Sequence, residues 1–264
     1  MTETYILNTD DRARERLSLQ HQLYVQSSVN LLREAGVGPG MKGLEIGCGS
    51  GAMTMEIARL LGGKGQLLSI DLSQDQIDST KKYTKEFDFI KFKVCDVTAL
   101  SELNERFDFI YCRMVLHHLA DAHIAIMQMK SCLNPGGVVI CEEPSIFDST
   151  YCTPPSPAYE RFLELAKTCF TNNKRDIGIA HRLELDFRSC GFSVTQHTLF
   201  QPVLRTIKEK QIYFMALDDL TPQLLEHHIT TAEEIKTLSK DLHELAEAEN
   251  TISWVRMHQV IATI

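Results

Sequence analysis

The segment Leu44-Glu45-Ile46-Gly47-Cys48-Gly49-Ser50-Gly51 constrains this chain more than any other. A short apolar run meets three glycines at alternate positions, and a helix-like stretch over 52–61 follows. Glycines so spaced let a backbone turn sharply and approach a ligand where any Cβ would collide. A helix that starts there offers N–H groups without helical partners. A strand, a glycine turn and a helix in that order are how open α/β sheets bind nucleotides at strand carboxyl ends.

The rest of the chain has the rhythm such a sheet needs. Residues 10–35 read as one helix, ended by Gly36-Val37-Gly38-Pro39-Gly40. Strands are expected at Gly43–Ile46, Gln66–Ile70, Ile90–Val94, Phe107–Cys112 and Val138–Glu142, with helices over 52–61, 74–86 and 121–132 between them. Short apolar runs alternating with amphipathic helices imply parallel strands joined by crossovers. Beyond residue 144 the rhythm breaks at Pro144, Pro154, Pro155 and Pro157. Helices over 157–172, 178–190, 206–217, 221–228 and 231–249 follow, the last opened by the capping-box pattern Thr231-x-x-Glu234. Phe192–Phe200 and Ile252–Ile264 read as a sixth and a last strand.

Composition narrows the function. A chain of 264 residues suffices for one α/β domain with an embellishment. A net charge of −8 disfavours a nucleic-acid partner, which would call for a basic face. No apolar run is long enough to span a bilayer, and the charged start MTETYILNTDDRARERLSLQ has no secretory h-region, so a cytoplasmic protein is expected. The eight cysteines form no Cys-x-x-Cys pair and are expected reduced, with no metal site.

Two acids extend the glycine signal. Asp71 ends the second strand 20 residues after Gly51, where a carboxylate can accept both hydroxyls of a ribose. Asp96 follows the third strand and can take the exocyclic amine of adenine, with Leu72 and Val97 flanking the ring. Gly47-x-Gly49-x-x-Ala52 also meets the loose dinucleotide fingerprint, so an NAD(P)-dependent oxidoreductase stands as an alternative. Glu45 weighs against it, because a carboxylate there would repel a pyrophosphate and attract the ammonium of an amino acid. No Tyr-x-x-x-Lys hydride-transfer dyad occurs.

LEIGCGSG at 44–51, SIDLS at 69–73, CDV at 95–97, FDFIYCRMVLHHLAD at 107–121 and LNPGGVVICEEP at 133–144 together resemble the successive motifs of class I S-adenosylmethionine methyltransferases. The chain is most similar to the small-molecule branch, of the ubiquinone/menaquinone-biosynthesis and natural-product type. The resemblance implies a Rossmann-like, seven-stranded, mostly parallel sheet with helices on both faces. It also implies N-terminal lid helices at 1–35, a main domain over 36–264 and a helical cap insertion at about 145–185. The cofactor implied is S-adenosylmethionine, leaving as S-adenosylhomocysteine. The turn of Gly47, Cys48, Gly49 and Gly51 would hold its methionine part, with Glu45 near the ammonium. Asp71 and Leu72 would take the ribose and adenine, Asp96 and Val97 the adenine edge, and Cys112 and Arg113 would face the sulfonium. Tyr5 and Gln20 belong to the implied lid pattern. Cys112-Arg113-Met114-Val115 replaces the Asn/Asp-Pro-Pro-Tyr/Phe run of amide and base N-methyltransferases, which disfavours that chemistry.

Methyl transfer is an in-line displacement that draws most of its acceleration from proximity. A base is needed only if the acceptor must lose a proton, and His117 and His118 are the candidates. The expected partner is a small hydrophobic or aromatic acceptor; a homodimer is compatible with the sequence, and a non-catalytic cofactor-binding module is the other alternative. Residues 1–30 and 145–185, with Tyr159, Phe162 and Phe170, are expected to cap the cofactor, joined by a helix carrying Tyr213 and Phe214.

Overall fold

The computed structural model describes residues 11–173 and 176–264. Contacts divide the chain into two compact units. The larger comprises Tyr24–Pro144, Gly178–Phe200 and Met257–Ile264. The other comprises residues up to Leu23, Ser145–Ile177 and Gln201–Arg256, and so draws on 201–256, which the sequence assigned to the main domain.

The larger unit is built on a sheet of β1 (Lys42–Ile46), β2 (Gln66–Asp71), β3 (Ile90–Val94), β4 (Phe107–Arg113), β5 (Leu133–Ser145), β7 (Ser193–Phe200) and β10 (Arg256–Thr263). Their order is β3-β2-β1-β4-β5-β10-β7. Neighbours from β3 to β5 run parallel, and β10 runs antiparallel to β7. Strand order reverses between β1 and β4, and such a switch point opens a crevice at the strand tips. Along β4, Ile110 and Cys112 join the core on one face while Phe109 and Tyr111 join the core on the other. That alternation follows from the two-residue period of a strand, and burial on both faces explains the uninterrupted apolar reading. Leu31 and Leu32 of α1 (Asp11–Glu34) and Met53, Ile57 and Leu61 of α2 (Ala52–Leu61) pack one face. Ile126 and Met129 of α4 (Ala122–Ser131) and Leu183 and Phe187 of α6 (Ile179–Ser189) pack the other.

The other unit contains a three-stranded sheet, β6 (Cys152–Thr153), β9 (Thr251–Ser253) and β8 (Val203–Leu204), in the order β6-β9-β8. Its helices are α5 (Pro157–Asn172), α7 (Ile207–Lys210), α8 (Ile212–Glu226) and α9 (Ala232–Glu247). Four expectations are corrected. The expected last strand Ile252–Ile264 splits at Trp254-Val255 into β9 and β10, which lie in different sheets. The helix break expected after 217 falls at Gln211, and α8 continues through Pro222 because Leu217, Leu220 and Leu224 keep one buried stripe. α3 (Gln74–Tyr83) stops short of residue 86. Thr231 does cap α9, but the Glu234 carboxylate turns to Arg161 and the Thr230 hydroxyl; the reciprocal capping box forms at Thr206 and Glu209 instead.

Tyr159 and Phe162, expected to line a cap, are 5% and 4% exposed. With Tyr213 they form an edge-on aromatic cluster, so they supply this unit's own core. Arg16 forms a buried ion pair with Asp219 in the same unit.

Candidate cofactor site

The glycine turn is folded back on β2: the N–H groups of Gly47 and Cys48 both donate to the Ile70 carbonyl, at 2.8 and 3.0 Å. Gly47 has φ +74°, and a Cβ there would come within 2.5 Å of Val115 Cγ2. At Gly49, φ +52°, a Cβ would meet no protein atom within 4 Å. Gly47 is therefore small for packing, whereas Gly49 borders open space. Thr80 of α3 donates its hydroxyl to the Gly49 carbonyl at 2.7 Å, and the Gly49 N–H donates to Asp71 Oδ2 at 2.9 Å.

Asp71 thus shapes the turn as well as standing at the tip of β2. Its Oδ1 accepts the Ser73 N–H at 3.0 Å. Burial pushes its carboxyl above the usual carboxylate range, against these backbone donors that pull it down. Leu72, next to it, is 55% exposed, an apolar side chain presented to solvent at the strand tip. Asp96 is exposed and caps the 3-10 helix Val97–Leu103, its Oδ1 accepting the N–H and hydroxyl of Thr98; Val97 is buried beneath it.

Glu45 lies one layer deeper, 1% exposed. Its Oε2 accepts the Thr54 hydroxyl at 2.6 Å and the Ser69 hydroxyl at 2.7 Å, tying β1 to the first turn of α2 and to β2. Burial pushes its carboxyl up to about 7, more than the two hydroxyls and the positive charge of Arg113 can offset.

The tips of β4 and β5 carry a second arrangement. Glu142 and Glu143 are consecutive and fully buried, and the strand period sends them to opposite faces. Glu142 accepts Tyr111 Oη at 2.6 Å, Ser28 Oγ at 3.0 Å and Gln259 Nε2 at 2.7 Å, joining β4, α1 and β10. Arg113 reaches Ser28 Oγ at 3.2 Å, which places that hydroxyl between a guanidinium and a carboxylate. Glu143 takes the backbone N–H groups of Val115, Leu116 and His117, and His117 Nδ1 at 2.7 Å.

Among the residues expected in the site, Glu45 lies on β1, Gly47, Cys48, Gly49 and Gly51 in the turn from β1 to α2, and Asp71 and Leu72 at and just past the end of the neighbouring β2. Asp96 and Val97 follow the end of β3, and Arg113 ends β4. Cys112, expected to face the sulfonium, is 0% exposed and packs in the apolar core. Its Sγ lies with Cys141 Sγ and a Glu143 oxygen inside a 4.8 Å cluster. His117 is 5% exposed and engaged with Glu143, while His118 is half-buried and its ring lies 3.9 Å from that of His117. Gln20 belongs to the other unit and accepts Arg16 Nη1; Tyr5 lies outside the described residues. The sequence reading missed Thr54, Ser69, Thr80, Val115, Glu142 and Glu143. Only the last two left a trace: acids inside an apolar strand must find buried donors.

A reversed sheet order, a glycine turn at the switch point and acids following the next two strands are the arrangement expected of a class I S-adenosylmethionine-dependent methyltransferase. Residues 38–250 match the family described as a methyltransferase domain, and the chain belongs to that family. The match decides the cofactor class in favour of S-adenosylmethionine over a nicotinamide. Demethylmenaquinone methyltransferase of Staphylococcus aureus strain MRSA252 is 29% identical over 136 residues, which are 51% of this chain and 55% of that protein. The chain thus spans about half the length of the curated relatives it matches. In fold it is similar to coclaurine N-methyltransferase bound to N-methylheliamine and SAH, with TM-score 0.61 and 18% identity, covering 90% of this chain and 71% of that one. It is likewise similar to the cyclopropane synthase of Mycobacterium tuberculosis, with TM-score 0.56 and 20% identity, covering 90% and 84%. No helix among the described residues is long and apolar enough to cross a membrane.

Proposed function

We propose that this chain transfers a methyl group from S-adenosylmethionine to a small hydrophobic or aromatic acceptor by in-line displacement. The observation that carries the reading is the open space at Gly49, whose N–H meets the Asp71 carboxylate, with the exposed Leu72 next to Asp71 in the chain. A carboxylate there suits a ribose diol, and Leu72 gives the adenine an apolar face. The exposed Asp96 suits the adenine amine. The cofactor brings an electrophilic methyl on a sulfonium when bound. The chain's part is to bind, align and exclude water, which supplies most of the acceleration in such a displacement. With His117 held on Glu143, a base enters only for acceptors that must lose a proton.

Titration calorimetry with S-adenosylhomocysteine tests the cofactor site, and absence of heat with folded protein would end this reading. A turnover screen over reduced naphthoquinones, phenols and aliphatic amines tests the acceptor. The name of the Staphylococcus relative puts the first class on that panel. Binding without turnover of any member would favour a non-catalytic cofactor-binding module. The proposal that 1–30 and 145–185 cap the cofactor predicts protection of those segments from limited proteolysis when S-adenosylhomocysteine is added.

A further inference from the structure

The loop after β4 meets the glycine turn through Val115 and is held by a buried carboxylate. Val115 Cγ2 fills the place a Cβ on Gly47 would take. The carboxylate is Glu143, fully buried, which gathers four donors from three consecutive residues. Its Oε1 takes the N–H groups of Val115 at 2.9 Å and Leu116 at 2.7 Å, and its Oε2 takes the His117 N–H at 3.2 Å and His117 Nδ1 at 2.7 Å. The loop enters through Met114 with φ +56°, a conformation unfavourable for a non-glycine residue that surrounding contacts must hold. Met114 N–H donates to the Glu142 carbonyl at 2.8 Å, so β5 holds the loop by backbone and side chain together.

From these contacts we infer that Glu143 is a positioning residue of the cofactor site. Acting through Val115, it seats the loop against Gly47 and so fixes the turn that faces the open space at Gly49. Acting through His117, it fixes the imidazole as the Nδ1–H tautomer, because a carboxylate can only accept. Nε2 is then the nitrogen of His117 able to take a proton. The four hydrogen bonds of Glu143 go to residues 115–117, so it reaches the turn through the loop. The inference rests on the cofactor reading for the affinity it predicts, and on this chain's own residues for the tautomer.

The test uses the whole chain. Calorimetry with S-adenosylhomocysteine on wild type, Glu143→Gln and Val115→Ala should show affinity falling about tenfold in Glu143→Gln, the size expected when charge-assisted hydrogen bonds are lost. Val115→Ala, which leaves Glu143 intact, should weaken binding in the same direction by a smaller factor. In the double variant the two losses should be less than additive, since both act through one loop. Nitrogen-15 correlation spectra should show His117 protonated at Nδ1 in wild type and a mixture of tautomers in Glu143→Gln. Unchanged affinity in folded Glu143→Gln, fully additive losses, or His117 protonated at Nε2 in wild type would each overturn the inference. If Glu143→Gln does not fold, Val115→Ala and the wild-type spectrum still decide it. Absence of S-adenosylhomocysteine binding to wild type would count against the proposed function, while the tautomer would still judge the Glu143–His117 pair.

Discussion

Glu45 and Glu143 are both buried carboxylates beneath the carboxyl ends of central strands, and they are held in different ways. Glu45 has two hydroxyl donors, both on one oxygen, and burial raises its carboxyl to about 7. Glu143 has three backbone N–H groups and an imidazole, shared over both oxygens. A hydroxyl can rotate and accept as readily as donate, so Thr54 and Ser69 can serve a protonated Glu45 as well as an ionised one. A backbone N–H can only donate, so the loop 115–117 requires an acceptor at Glu143. The β1 carboxylate is therefore held by groups that can turn to serve either of its protonation states, and the β4 carboxylate by groups that only donate. The predictions below probe that contrast and the turn between the two sides.

The largest effect is expected at the point where the sides meet. Gly47→Val would place a branched Cβ against Val115 at a position with φ +74°. Loop and turn cannot both keep their places, and S-adenosylhomocysteine binding should fall by more than about 100-fold, the order of a ~3 kcal/mol overpacking cost. Binding within tenfold of wild type would show that the loop does not brace the turn.

Glu45→Gln comes next, and its effect depends on pH. A carboxyl raised from 4.5 to about 7 in the folded protein adds stability in full below 4.5 and loses it as pH rises through 7. Glutamine keeps an acceptor for Thr54 and Ser69 and does not titrate. Relative to wild type the variant should therefore gain stability between pH 5 and pH 8, by up to ~3 kcal/mol. Denaturant unfolding at the two pH values measures it. A constant difference between the proteins would place the Glu45 carboxyl back in the ordinary range.

Asp71→Ala removes the Gly49 tie and the proposed ribose acceptor together, and should weaken S-adenosylhomocysteine binding by about 1–3 kcal/mol. Asp71→Asn separates the two roles, since its amide oxygen can still take the Gly49 N–H while no longer offering a carboxylate to a diol. Equal losses in the two variants would assign the effect to the ribose contact, and a much milder Asn variant would assign it to the turn.

The contrast between the sides also marks what the sequence could reveal. On the β1 side every element is local: glycines at alternate positions, an acid two residues before them and another 20 residues after Gly51. These spacings reflect the geometry of one strand–turn–helix unit and its neighbour, so the turn and Asp71 were legible. On the β4 side the bonds join residues far apart in the chain. Ser28 and Gln259 meet Glu142 from 114 and 117 residues away, and Glu143 meets the loop from 26 to 28 residues away. No period relates such residues, so their donors could not be named in advance. His117 shows the cost: two adjacent histidines at a strand end read as candidate bases, yet the pattern gave no hint of the carboxylate beneath them. In the smaller unit, β6 and β8 are two residues each, too short for an alternating pattern. The aromatic stripe of α5 has the spacing that either a cap or a core would give, so spacing alone could not foresee that Tyr159 and Phe162 are buried.

The smallest predicted effect concerns Thr80, which the sequence gave no reason to single out. Its hydroxyl donates to the Gly49 carbonyl, and the Asp71 carboxylate holds the N–H of the same peptide segment on the other side. Gly49 is thus gripped from α3 and from β2, and either grip alone leaves the glycine free to sample more of its wide conformational range. Thr80→Val keeps the shape and burial of the side chain and deletes the hydroxyl that bonds the Gly49 carbonyl. One neutral hydrogen bond to a half-buried carbonyl is worth about 1 kcal/mol, so affinity for S-adenosylhomocysteine should fall about fivefold. Since the lost bond restrained the turn before the cofactor arrives, the weakening should appear as a less favourable binding entropy. It should also be non-additive with Asp71→Asn, because both act on Gly49. Strict additivity would mean that Thr80 stabilises α3 alone and leaves the turn as it was.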